Sequence, residues 1–325
     1  MFGDDAHPVP RAMQGPFPIE ARDVGPLNIL FSDAFTERYR RDGLVGVRVP
    51  PLNPLIWRYA IEDAGDGAMC WRDVNGDMAA FNIAHTSGVE GWMGPLAVRD
   101  DLQGDGNGKT IVLAGVRHLQ QQRCRVIGLE TMPRTMDNIG FYATLGFVPG
   151  ALTTTLTVEA AAELSPVLLL STCGAASRDD MLRECAALAG SICGGYDFTR
   201  EIELTESLRL GDTLLVLEGD ELVAFALCHW APLVEGRPRD ELRVLKLVAR
   251  SEALLDRLVL QLATLAQRAS TARAAVRVQG AYRGVFRRFT AMGARVRWTD
   301  LRMVLADFEE RGPANGGVVL SNWEI

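Results

Sequence analysis

Apolar residues recur at Leu27, Leu30, Phe31, Ala34, Phe35 and Tyr39, three or four apart, and the pattern stops before Gly43. That spacing predicts an amphipathic helix ending near Arg40. Residues 18–24, just before it, read as a short strand, and Pro50, Pro51 and Pro54 mark a loop. The pattern then shortens. Apolar runs at 68–72, 78–85 and 90–98 are divided by Asn75-Gly76 and Ser87-Gly88, which predicts an antiparallel meander. Val112, Val116 and Leu119 mark one face of a helix over 109–123. A strand at 126–130, a short helix at 138–145 and a strand at 147–158 come next.

The same order returns after an Ala-rich stretch at 159–166. Strands are predicted at 167–171, 213–217, 222–230, 242–249, 274–278 and 295–305. Helices are predicted around Met181 to Ile192, around Leu254 to Leu265 and over 283–292. A repeated order of this kind predicts an internal duplication. The boundaries expected are a leader at 1–16, a first domain at 17–158, a linker at 159–166, a second domain at 167–310 and a tail at 311–325. The tail carries Val318, Val319, Leu320 and Trp323, too apolar to float, and is expected to dock as an edge strand or against a neighbouring chain in a homo-oligomer.

Length supports the division, because 325 residues exceed one ordinary core. A net charge of −7 argues against a nucleic-acid partner and is compatible with a small cationic one. No apolar run reaches the ~20 residues needed to cross a bilayer. The first sixteen residues have no signal-peptide pattern, and six scattered cysteines form no C-x-x-C pair. Cytoplasmic location, reduced thiols and no metal site are the expectations.

The chemistry is carried by one loop. Strand 90–98 leads through 99–102 into Gln103-Gly104-Asp105-Gly106-Asn107-Gly108-Lys109, and a helix begins at once. Glycines permit positive φ and close backbone approach, and a helix N-terminus adds unpaired N–H donors, so such a loop suits a diphosphate. A nucleotide P-loop is disfavoured, because only three residues separate the outer glycines where G-x-x-x-x-G-K-[ST] has four.

Gln103, Gly106 and Gly108 satisfy Q/R-x-x-G-x-G/A, and downstream Asn138, Tyr142, Gly146 and Phe147 satisfy N-x-x-x-Y-x-x-x-G-F. With both motifs in order on the expected elements, the chain resembles the GNAT N-acetyltransferase superfamily. The motifs cover residues 18–158, and the remainder resembles it by architecture. The resemblance implies an α/β fold of two tandem GNAT-like domains, each a mixed, mainly antiparallel sheet flanked by helices. It implies acetyl-CoA as co-substrate and a primary amine, of a small molecule, as acceptor. Leu96, Ala97 and Val98 would offer backbone groups to the pantetheine arm. Residues Gln103, Gly104, Asp105, Gly106, Asn107, Gly108 and Lys109 would hold the pyrophosphate, and Asn138 would bond the pantetheine. Tyr142 would protonate the leaving thiolate.

The amine must lose a proton, since a lysine-type amine has a pKa near ~10.4. Glu130 and Glu90, at strand ends where carboxylates can face the cleft, and His85 are the candidate bases, and the sequence does not choose among them. The second half departs from the pattern. Arg250-Ser251 runs into its helix without a Gly-rich loop, Phe289 stands where Tyr142 would recur, and Ala294 replaces Phe147. That half is expected to bind no CoA and to shape the acceptor pocket. The alternative expectation is a CoA-binding sensor or scaffold that kept the fold and lost catalysis.

Overall fold

The computed structural model describes residues 13–162 and 165–323. The first half runs β1 (Gln14–Pro18), α1 (Val24–Arg41), α2 (Pro54–Ala64), β2 (Ala68–Arg72), β3 (Met78–Ser87), β4 (Glu90–Val98), α3 (Asn107–Gln121), β5 (Val126–Thr131), α4 (Met136–Thr144) and β6 (Phe147–Glu159). The second runs β7 (Leu168–Leu169), α5 (Ala175–Ile192), α6 (Thr199–Ser207), β8 (Gly211–Glu218), β9 (Glu221–His229), β10 (Glu241–Ala249), α7 (Leu255–Arg268), β11 (Arg273–Gln279), α8 (Arg283–Ala291), β12 (Arg295–Leu305) and β13 (Val318–Ser321).

Several of these elements differ from the sequence reading, among them α6, which no predicted helix covers. The first strand ends at Pro18 and Val24 already opens α1. Asp23 explains the early start: it accepts the Glu20 N–H at 3.0 Å and pairs with Arg72 of β2 at 2.6 Å, pinning the entrance of the helix to the sheet. Pro54 does not extend a loop but takes the first helical position of α2, where a missing N–H costs nothing. Asn53 caps that helix by accepting the Leu55 N–H at 3.0 Å. Ile56, Trp57, Tyr59, Ala60 and Ala64 form its buried face.

All the strands join one sheet, ordered β1-β2-β3-β4-β5-β12-β6-β11-β10-β9-β8-β7, with β13 added on β10. Only β4–β5 and β10–β11 are parallel; the rest is antiparallel. At the centre the halves exchange their last long strands. β12 lies between β5 and β6, while β6 lies between β12 and β11. Side chains from the end of the chain are thereby inserted beside β5, where the first half's loops converge.

Helices cover both faces. Ile111, Val112 and Leu119 of α3 pack on one face of the first half with Ala80, Met93 and Ile127. Leu27, Phe31 and Trp57 of α1 and α2 pack on the other with Phe81 and Ile83. In the second half α7 and α8 bury Leu258, Leu262 and Phe289 against Val244 and Val276. Helices α5 and α6 cover the opposite face, and Ile56 and Tyr59 of α2 reach into their core. The helices α2 and α6 therefore hold the halves together by apolar contact as well as by strands. A fully buried Leu or Phe contributes about 1.5–3 kcal/mol.

The tail is neither an outer edge nor left for a neighbour. β13 is wholly buried and pairs antiparallel with β10 inside the gap that opens between β10 and β11. Of the expected leader, residues 1–12 lie outside the described residues. Among the described residues no helix is long and apolar enough to cross a membrane, and no cluster of His, Cys, Asp and Glu could hold a metal ion.

Candidate active site

Parallel pairing of β4 with β5 runs only from Glu90↔Val126 to Met93↔Leu129. Beyond Met93 the two strands part, while β4 stays bonded to β3 through Leu96, Ala97 and Val98. One edge of β4 is therefore unpaired by any strand over those residues, and it faces a cleft of about 660 Å³. Below this edge Gln103 folds back. Its amide donates to Val98 O and Asp100 Oδ1, both at 2.9 Å, and its carbonyl accepts from Arg41 at 3.1 Å.

The glycine loop comes next. Gly104 and Gly106 have φ of +93° and +81°, with nothing within 4 Å of where a Cβ would stand. Only glycine takes that conformation without strain. The first bond of α3 runs from the Thr110 N–H to Gly106 O at 3.1 Å. Asn107, Gly108 and Lys109 thus sit in the first turn, where N–H groups have no partner within the helix and the dipole favours an anion. Asn107 secures the turn by donating to Leu102 O at 2.8 Å.

Of the residues singled out in the sequence, Leu96, Ala97, Val98, Gln103, Gly104, Gly106, Gly108, Lys109, Glu130, Asn138 and Tyr142 line this one cleft. Asp105 and Asn107 belong to the loop without lining it, and Glu90 lies behind the wall. Asn138 reaches Thr131 Oγ1 at 3.5 Å. Tyr142 packs against Phe141 and Phe147, and burial pushes its hydroxyl up to about 12.

The candidate bases have different surroundings. Glu130 is half-buried, and its desolvation favours the neutral form, but Arg277 and Arg302 hold its carboxyl below the usual range. Arg277 donates to one of its oxygens, Thr153 donates to the other at 2.5 Å, and Arg302 lies 3.5 Å away. Glu90 accepts from Trp92 Nε1 at 2.9 Å and from Ser321 Oγ at 2.7 Å. His85 does not line the cleft; its Nδ1 is 2.7 Å from buried Asp63.

Several lining residues carried no local signal. Arg277, Trp298, Asp300 and Arg302 come from β11 and β12, and Ser321, Asn322 and Trp323 come from the end of the chain. Arg302 is 3% exposed, stacks its guanidinium 3.9 Å from the centre of the Trp92 ring, and lies 3.8 Å from Glu90. Burial raises Asp300 above the usual carboxylate range, against the pull of Arg277. From the first half, Phe35, Arg38 and Tyr39 of α1 close the opposite wall.

Residues 32–147 match the acetyltransferase (GNAT) family. The fold agrees over the whole chain. A protein from Pyrococcus horikoshii assigned as an acetyltransferase superposes with a TM-score of 0.68 at 12% identity, covering 99% of this chain and 98% of the other. A tandem GNAT protein from the clavulanic acid biosynthesis pathway gives 0.60 at 12% identity, over 92% and 100%. N-myristoyltransferase of Saccharomyces cerevisiae, solved with myristoyl-CoA bound, gives 0.63 at 11% identity, over 96% and 86%. At such identities the likeness is one of fold. No curated protein matches the chain.

Proposed function

We propose that the protein transfers the acetyl group of acetyl-CoA to a primary amine of a small molecule, with one donor site, in the first half's cleft. The observation that carries this reading is the continuity of the cleft. The open edge of β4, the N-terminus of α3 and Tyr142 all line it. Backbone groups of Leu96, Ala97 and Val98 would bond the pantetheine arm as an added strand, with Asn138 as a side-chain partner. The turn from Gln103 to Lys109 would hold the diphosphate with its N–H groups. The donor supplies the activated acetyl thioester.

The remaining work falls to the chain's own side chains. The amine nitrogen bonds to the acetyl carbon while the carbon–sulfur bond breaks, so one proton must leave nitrogen and one must reach sulfur. Tyr142 suits the second task, because burial keeps its hydroxyl protonated at neutral pH. A carboxylate must take the first. Glu130 is poorly suited, since two arginines and Thr153 already occupy it. Glu90 is held by neutral donors and by the more distant Arg302.

Incubation with acetyl-CoA and four amines, phenethylamine, spermidine, glucosamine and lysine, tests the reading, with product followed by mass spectrometry. Acetylation of at least one on nitrogen is expected. Binding of acetyl-CoA with no acetylation of any amine would overturn the amine-acceptor reading and favour a CoA-binding sensor.

A further inference from the structure

The two halves open the same gap in their sheets and fill it differently. In the first, β4 and β5 pair over four positions and then part, leaving the edge of β4 to the cleft. In the second, β10 and β11 also pair over four positions, Glu241↔Arg273 to Val244↔Val276, and then part. There the gap is filled by the protein itself. β13 bonds to the freed edge of β10, from Lys246↔Ser321 to Ala249↔Val318. Val318 and Leu320 enter one core of the second half and Val319 the other. The Tyr282 hydroxyl accepts the Val319 N–H at 3.2 Å, and the Asn322 N–H bonds to Leu245 O at 3.0 Å.

A strand anchored this firmly delivers the residues at its end to a fixed place. Ser321, Asn322 and Trp323 leave the second half's gap and line the first half's cleft. Trp323 stacks on Trp92 with ring centroids 5.5 Å apart, and Lys246 Nζ lies 3.6 Å from its ring centre. Ser321 is the hinge of this arrangement. Its Oγ donates to Glu90 Oε2 at 2.7 Å and accepts from Lys246 Nζ at 3.0 Å. A hydroxyl has one donor and two acceptor sites, so one lone pair is left over after these bonds. Glu90 is buried behind the wall and reaches the cleft's lining through this hydroxyl, the Trp92 indole and the more distant Arg302.

We propose that Ser321 is a catalytic residue of the first half's site, relaying the acceptor's proton to Glu90. The inference rests on acetyl transfer to an amine as the site's reaction. The bound ammonium first passes a proton to Ser321 Oγ while the hydroxyl's own proton passes to Glu90 Oε2, and the neutral amine then attacks the acetyl carbon. The serine is unchanged and Glu90 becomes neutral; as the carbon–sulfur bond breaks, sulfur takes its proton from Tyr142 and the phenolate takes the second proton from nitrogen. Exchange with water after product release restores Glu90. Lys246 from β10, paired with Glu201 of α6 at 3.8 Å, steadies negative charge as it develops on the serine oxygen. Arg302 of β12 sets a second positive charge 3.8 Å from the other oxygen of Glu90.

The test compares two nucleophiles at pH 7 in the full-length protein. One is the panel amine that turns over fastest, which is protonated in solution. The other is hydroxylamine, which is already neutral and needs no base to attack. Ser321→Ala and Glu90→Gln are each expected to lower turnover of the protonated amine by about 10²-fold, within the usual range for general-base groups. The double variant should be no slower than the worse single one, because both act in one path. Turnover of hydroxylamine and affinity for acetyl-CoA should change by no more than a few fold. An equal fall with both nucleophiles would make Ser321 merely structural and overturn the relay, as would a Ser321→Ala variant with full turnover. A wild type that binds acetyl-CoA and acetylates neither nucleophile would instead overturn the acetyl-transfer reading, and the relay with it.

Discussion

Tyr142 stands near the end of α4 and lines the cleft, with its ring inclined to that of Phe147, centroids 6.1 Å apart. Among the described residues nothing bonds its hydroxyl, and burial alone raises its pKa. Removing it should therefore cost little stability while removing the proton source for sulfur. Tyr142→Phe is expected to leave the melting temperature nearly unchanged and to lower kcat by about 10²–10⁴-fold. Steady-state rates beside a thermal melt check this; an unchanged kcat would show that sulfur takes its proton elsewhere. Tyr142 is legible in the sequence because the residues around it, Asn138, Gly146 and Phe147, are spaced as a motif. Glu90 and Glu130 are legible only as carboxylates at strand ends. What separates them is Arg277, Arg302 and Ser321, residues more than a hundred positions away in sequence, so no local pattern could rank them.

At the scale of elements, the meander from β2 to β4, the turn into α3 and the amphipathic α7 come directly from period and punctuation. The departures have physical causes. Pro54 reads as a loop marker because proline ends more segments than it opens, yet with Asn53 as cap it starts α2. The strand expected at 18–24 is split by Asp23, whose partner Arg72 lies on β2. The tail's apolar residues show that it docks, but its place depends on a gap in a sheet formed by distant strands. That place carries a measurable energy. Leu320 is 1% exposed within the second half's core, so Leu320→Ala is expected to cost about 2–5 kcal/mol in denaturant unfolding. Acetyl-CoA affinity should survive, since the lesion lies in the second half's gap. A loss below about 1 kcal/mol would mean that the site collapses around the smaller residue or that β13 is weakly held.

Across the whole molecule the duplication is visible in the order of elements, whereas the exchange of β6 and β12 is not. Neither strand carries a local mark of its partner, and only register with β5 or β11 decides the neighbour. The exchange matters because it builds the first half's cleft from both halves: β4, α3 and α4 supply one side, while β11, β12 and the tail supply the far wall. In the second half the matching gap is closed, since β13 lies along the freed edge of β10. One donor site per chain, at the N-terminus of α3, is therefore the central expectation. Isothermal titration of acetyl-CoA into the wild type and into Gly108→Asp tests that most directly. Aspartate in a first helical turn is favourable for the helix and asks only a small shift of Phe141, which lies 3.3 Å from the added Cβ, yet it sets a negative charge against the diphosphate. One molecule bound per chain, lost in a folded Gly108→Asp variant, is the expected result. Two molecules per chain, or binding that the variant leaves intact, would contradict it.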